Sequence, residues 1–167
     1  MAGRKPAGRA AQQQAEQLVS AALAARSRAY APYSQYQVGA ALKCRDGTLV
    51  TGCNVENSAY PLCICAERVA MAAAVAQGRR DFVSMAIATL SSPPGSPCGS
   101  CRQFMHELAP DLELILCNPD GEVEYTTVGA LLPRAFGPRA LAAKSSSQTQ
   151  RNAASRGASR ARLRGVH

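Results

Sequence analysis

Tryptophan is missing from this 167-residue chain, and aromatic side chains make up only 5% of it. Such a core must be built mainly from Ala, Leu, Val and Ile, and the 47% hydrophobic content is enough for one domain of this length. No apolar run approaches membrane-spanning length, and the start has no apolar h-region of a secretory signal. Arg4, Lys5 and Arg9, with few serines around them, make a weak transit peptide. The seven cysteines are odd in number. Without an export signal they point to reduced thiols in the cytoplasm, with metal ligation rather than a disulfide framework as their natural use.

Acidic residues are absent from both ends. Residues 1–10 carry three basic groups, and residues 143–167 carry six (Lys144, Arg151, Arg156, Arg160, Arg162, Arg164). The formal charge of +8 therefore belongs to the ends, because residues 11–142 hold ten basic against all eleven acidic side chains. The final stretch is rich in Ser, Ala, Gln and Arg, a composition too poor in large apolar groups to offset the entropy of ordering. The expected organisation is a basic flexible N-terminus (1–10), one folded domain (11–142) and a basic disordered tail (143–167). A solvated tail is the preferred reading over a nucleic-acid-binding arm.

Periodicity gives the elements. Leu18, Ala22 and Ala25 recur at helical spacing between about Gln12 and Ala29. Val38–Lys43 and Thr48–Gly52 flank Arg45-Asp46-Gly47, the signature of a hairpin. An Ala-rich helix runs from Cys65 to Gln77, with Ala66, Val69, Ala70, Ala73 and Ala74 on one face and Cys65 in the first turn. A buried strand follows over Phe82–Leu90, then a Pro/Ser/Gly loop and a third helix from Gly99 to Leu108. Leu112–Cys117 and Glu122–Tyr125 are joined by Asn118-Pro119-Asp120-Gly121, too short for a crossover, so this last pair is expected antiparallel. The sum is a mixed five-stranded sheet with helices packed on its faces.

Cys65-Ala66-Glu67 and, thirty-three residues after Cys65, Pro97-Cys98-Gly99-Ser100-Cys101 carry the chemistry. Three thiols and a carboxylate at this spacing match the signature of zinc-dependent base deaminases, where the carboxylate moves protons beside a metal-bound water. Three ligands leave a coordination position open, as catalytic zinc requires. Zinc with three thiolates carries a net charge of −1. Two helix starts of roughly half a positive charge each, with Arg68 as a full cation, offset that excess. Cys63 raises an alternative: as a fourth thiolate it would close the site.

The chain resembles the small, homotetrameric, three-cysteine cytidine deaminases over about Tyr30–Pro138. The resemblance rests on Pro32-Tyr33-Ser34, Val38-Gly39-Ala40-Ala41-Leu42, Gly52-Cys53-Asn54-Val55-Glu56-Asn57 and Tyr60-Pro61. It continues through Cys65-Ala66-Glu67-Arg68, Pro97-Cys98-Gly99, Cys101-Arg102-Gln103 and Ala135-Phe136-Gly137-Pro138. It implies a three-layer α-β-α fold, with one Zn2+ per subunit held by Cys65, Cys98 and Cys101. Glu67 is then the shuttle that serves water, ring N3 and the departing amino group. Asn54 and Glu56 would bind ribose hydroxyls within a substrate loop of Asn54, Val55, Glu56, Asn57, Ser58, Ala59 and Tyr60, and Ala66 completes the binding set. Tyr36 stands where the family usually has a base-stacking Phe, and Phe136 would reach over the base in a neighbouring subunit. The implied activity is hydrolytic deamination of cytidine and deoxycytidine in pyrimidine salvage. A free nucleoside is favoured as partner over nucleic acid, because polynucleotide deaminases typically present His-x-Glu. Deamination of another aminated nucleoside, and a zinc-stabilised module binding nucleic acid through its tails, remain as competing readings.

Overall fold

The first helix is made of small residues because of what it must sit on. In the computed structural model, which describes residues 7–138, 140 and 141, α1 spans Arg9–Arg26 and buries Ala15, Leu18, Ala22 and Ala25. Against it lie Ala41, Ala86, Ala88, Ile115 and Cys117, one side of a sheet also rich in small side chains. The approach is close enough that a Cβ on Gly39 would lie 2.1 Å from the Ala22 carbonyl oxygen and 2.4 Å from the Arg26 nitrogen. Glycine is required at position 39 for space. Because α1 begins at Arg9, the helix takes in the last two residues of the expected basic N-terminus; residues 1–6 and the tail from 142 onward lie outside the described residues.

Five strands follow: β1 (Gly39–Cys44), β2 (Leu49–Cys53), β3 (Phe82–Ala88), β4 (Glu113–Cys117) and β5 (Val123–Thr127). They form one sheet in the order β2-β1-β3-β4-β5. β3 and β4 are parallel, and the other neighbours, including β4 and β5, are antiparallel. The same turn closes both hairpins. Gly47 (φ 87°) donates to Cys44 O at 3.1 Å, and Gly121 (φ 86°) donates to Asn118 O at 3.3 Å. A left-handed glycine after Asp is the residue such three-residue loops demand.

The other face of the sheet carries the larger apolar groups. Leu42, Met85, Ile87, Leu114 and Leu116 meet Ala70, Met71 and Ala74 of α2 (Ala66–Ala76), and Cys101 and Met105 of α3 (Gly99–Leu108). Met71 rather than Val69 completes the buried face of α2, while Val69 is half-buried, so the inward stripe is rotated from the expected one. Helices on both faces make the layers α-β-α, as expected. A short α4 (Val128–Leu131), capped where Ala130 N donates to Thr127 Oγ1 at 3.1 Å, was not foreseen. The residues group into a body ending at Ala135 and a second beginning at Phe136; in the latter, Ala140 N donates to Gly137 O at 2.9 Å.

Candidate active site

Cys65 and Cys98 are the residues immediately before α2 and α3, both in extended backbone. Their carbonyls accept the first helical bonds, from Val69 N at 3.1 Å and Arg102 N at 3.0 Å. Cys65 is therefore the cap of α2 rather than a member of its first turn, and its sulfur sits at the positive end of the helix. Cys101 is the third residue of α3 and is buried. The three sulfurs lie within 4.8 Å of one another, Cys65 and Cys98 at 3.9 Å. Among the described residues they are the group of His, Cys, Asp and Glu side chains that could hold a metal ion.

The donor set fits zinc. Hydrogen bonding with Cys101 brings the Cys65 thiol down to about 5, with Arg68 and Cys98 assisting against the opposing effect of burial. That same bond, together with burial and the neighbouring Glu67 charge, drives Cys101 up. An easily ionised thiolate among three soft donors at two helix starts is the environment a thiolate-bound Zn2+ needs. Arg68 donates to Cys63 O at 3.1 Å and reaches Cys65 Sγ at 4.0 Å. Its Nε is buried with no hydrogen-bond partner among the described residues. Cys63 lies outside the cluster. Its sulfur accepts from Asn57 N at 3.3 Å and donates to Asn57 O at 3.6 Å, which employs it in the neighbouring loop.

Glu67, the second residue of α2, is 3% exposed. Desolvation is the first cause raising its pKa, and the Cys65 charge adds to it. It lines a cavity of about 340 Å3 with Tyr36, Asn54, Val55, Glu56, Cys65 and Cys98. Ile87, Ile64 and Val38 give that cavity an apolar wall.

The loop after β2 is fastened on both sides. Val55 and Ile64 exchange backbone bonds of 2.9 and 3.0 Å, and Tyr30 accepts from Glu56 N at 2.8 Å while donating to Asn54 O at 3.0 Å. Asn54 spans to the segment before β1: its Oδ1 accepts from Val38 N and its Nδ2 donates to Tyr36 O, both at 2.8 Å. One amide proton remains for a ligand. Glu56 Oε2 accepts from Tyr33 N at 2.9 Å and Ser34 N at 3.2 Å, and Oε1 accepts from the Ser34 hydroxyl. The Ser34 bond leads the causes that hold the Glu56 carboxyl below its ordinary range.

The remaining predicted residues are placed differently. Asn57, Ser58, Ala59 and Tyr60 continue the loop but do not line the cavity. Tyr60 instead packs edge-on against Tyr33 with ring centroids 5.8 Å apart. Ala66 is fully buried in the core and does not line the cavity. Phe136 is exposed and belongs to the second body. His106 is half-buried on α3 and outside the metal cluster.

Sequence reasoning gave several side chains no role in the site, Arg102 among them as a packing or interface residue. Arg102 donates to Pro97 O at 2.7 Å, Ser96 Oγ at 3.0 Å and Leu131 O at 2.9 Å, clamping the approach to Cys98. Thr89 and Gly95 also line the cavity, and Ser34 steadies Glu56. The Ser in Pro32-Tyr33-Ser34 was the one available signal, since Ser favours such turns. A larger cavity, about 510 Å3, lies on the α1 side among Gln14, Lys43, Ser84, Glu113 and Tyr125, and contains no cysteine.

Fold and site together define a zinc-type hydrolytic enzyme on an α-β-α scaffold. Residues 12–116 match the family described as "Cytidine and deoxycytidylate deaminase zinc-binding region". The chain belongs to that family. It is 47% identical over 122 residues to the cytidine deaminase of Halalkalibacterium halodurans, covering 72% of this chain and 92% of the relative. It is 40% identical over 134 residues to a probable cytidine deaminase of Dictyostelium discoideum, covering 80% and 90%. Among solved structures, the cytidine deaminase of Burkholderia pseudomallei superposes with a TM-score of 0.71 at 51% identity, covering 72% of this chain and 98% of the other. The Mycobacterium leprae enzyme gives 0.61 at 39% identity, covering 71% and 97%.

Proposed function

We propose that this protein hydrolyses cytidine and deoxycytidine to uridine and deoxyuridine, releasing ammonia. The observation that carries the reading is the buried Glu67 carboxyl opening on the same cavity as the cysteine cluster and the Asn54/Glu56 pair. Cys65, Cys98 and Cys101 would hold the zinc ion, whose chemistry when bound is to acidify a water toward neutral pH. Glu67, its pKa raised by desolvation, is suited to take up protons and deliver one to ring N3 and a second to the leaving amino nitrogen. Arg68 tunes the charge at Cys65. The remaining Asn54 amide proton and Glu56 Oε1 are the groups for the ribose hydroxyls, and Val55, Asn57, Ser58, Ala59 and Tyr60 shape the loop that presents them. Tyr36 offers its ring to the base, Ala66 joins the binding set between Cys65 and Glu67, and Phe136 would cover the base in a neighbouring subunit.

On this reading the protein is a cytoplasmic homotetramer with shared active sites, one zinc per subunit and a free nucleoside as partner, its catalytic domain at residues 11–142 between basic ends. Among the described residues no helix is long and apolar enough to cross a membrane. The test is an ultraviolet assay for loss of the cytosine chromophore with cytidine, deoxycytidine, cytosine and an oligonucleotide, with metal analysis of the same sample. Turnover of both nucleosides by protein carrying one zinc per chain is expected. Turnover of the oligonucleotide alone, or of none of the four by zinc-loaded protein, refutes the reading.

A further inference from the structure

A stacking ring needs no hydroxyl, yet the hydroxyl of Tyr36 is engaged. Its oxygen lies 2.9 Å from Ser91 Oγ, on a segment fifty-five residues away. Ser91 Oγ is 3.2 Å from Thr89 Oγ1, which accepts from Gly95 N at 2.8 Å. Thr89 and Gly95 line the cavity with Tyr36, and all three partners belong to the segment between β3 and Cys98.

That segment is held from behind. Buried Asn118 donates through Nδ2 to Ser91 O at 3.2 Å and to Glu122 Oε2 at 2.6 Å. Glu122 Oε1 accepts from Ser92 Oγ at 3.0 Å, and Thr89 N donates to Cys117 O at 3.0 Å. Ser91 is thus tied to the loop between β4 and β5, whereas Tyr36 stands on the segment before β1, whose backbone Asn54 holds. The Tyr36–Ser91 bond bridges two walls of the cavity.

Gly95 bears on the same contact. A Cβ there would lie 2.8 Å from the Tyr36 hydroxyl, 3.1 Å from Ser91 Oγ and 3.1 Å from Thr89 Cγ2. Glycine at 95 leaves room for the phenol oxygen. Tyr36 is 41% exposed, so packing alone gives its ring little restraint. A hydrogen bond to a fixed partner supplies the restraint, and a wall fixed before binding saves the cost of ordering it on binding.

We propose that the Tyr36 hydroxyl, Ser91, Thr89 and Gly95 form a latch that fixes the Tyr36 ring in the cavity wall and so sets affinity for pyrimidine nucleosides. Ser91 is a positioning residue in this scheme, acting through Tyr36. The proposal rests on the deaminase reading and deepens it.

The experiment is steady-state kinetics with cytidine, and titration with uridine, on the zinc-loaded full chain and its variants. Tyr36→Phe and Ser91→Ala should each raise KM about three- to tenfold, the effect of one lost hydrogen bond, with a smaller change in kcat. The uridine dissociation constant should rise in parallel. The double variant should be no worse than the poorer single one, and Ser91→Thr, which keeps a hydroxyl, should recover most of the loss. Gly95→Ala should raise KM in the parent and do so much less in the Tyr36→Phe background, where the obstructed oxygen is gone. A merely structural role predicts equal Gly95→Ala penalties in both backgrounds and additive effects of Tyr36→Phe and Ser91→Ala. Either result with an active parent overturns the latch alone. A zinc-loaded parent that leaves cytidine intact overturns the deaminase reading and the latch with it.

Discussion

Replacing Glu67 with Gln separates chemistry from architecture at one atom. The side chain is 3% exposed in the first turn of α2, and Gln matches its volume while removing the ionisable oxygen. Proton transfer by a positioned side chain contributes about 10²–10⁴ in rate, or roughly 3–5 kcal/mol of barrier. The assay is loss of the cytosine chromophore at saturating cytidine, with zinc measured on the same sample. The variant should retain one zinc per chain and lose turnover by about that factor. Its metal-free form should be no less stable than the parent's. Desolvation raises the folded-state pKa of Glu67 above its ordinary 4.5, so the folded chain binds more protons than the unfolded one above that value. This contribution to stability falls as pH rises from 4.5 through the raised pKa, and Gln removes the penalty. A zinc-replete variant with turnover within about tenfold of the parent refutes the assignment of Glu67.

Glu56 gives the opposite sign. Its pKa is lowered, first by the Ser34 hydroxyl, so its contribution to stability is present above 4.5 and lost as pH falls through the lowered value. Glu56→Gln should flatten the acid side of a plot of thermal midpoint against pH and raise KM for cytidine; an unchanged acid limb contradicts this. Gly52→Ala would put a Cβ 2.5 Å from both Ala66 O and Ala70 N, which are backbone atoms. The start of α2 must then move, at a cost of about 1–3 kcal/mol, and zinc affinity measured against a competing chelator should fall; parental affinity would show that α2 stays in place. Cys63→Ser should leave one zinc per chain, because Cys63 lies outside the sulfur cluster; loss of the metal would make Cys63 a ligand.

The bounds of α3, Gly99–Leu108, were legible in the sequence because the Pro97-Cys98-Gly99 start and the apolar spacing agree there. The first hairpin was legible through Asp-Gly and the second through a link too short for a crossover, and in both the glycine occupies the left-handed position the loop demands. The inward face of α2 was harder. In a helix with apolar residues all round, periodicity cannot choose between Val69 and Met71, and the sheet beneath made the choice. α4 was missed because four residues are too few to show a helical period. Cysteine types and spacing pointed to the sulfur cluster, and the structure brings those three sulfurs together. The clamp of Arg102 was hidden, since two of its three partners are carbonyls, which any residue supplies.

Strand direction explains why these scattered residues converge. Cys53, Gly39, Ala88 and Cys117 are consecutive partners across the sheet, Gly39 pairing with both Cys53 and Ala88, and Ala88 with Cys117. In this one row β2, β3 and β4 end and β1 begins. Asn54 and Glu56 follow β2, Tyr36 precedes β1, Thr89 and Ser91 follow β3, and Asn118 follows β4, so each must emerge along the same edge. α2 and α3 start near that edge because each follows a strand that ends there, which brings two positive helix ends to the sulfurs. Ligand sites at the carboxyl ends of parallel strands are general in open α/β sheets. Here the antiparallel β1 adds its opening segment to that edge, and with it Tyr36, which a wholly parallel sheet would have sent to the far side.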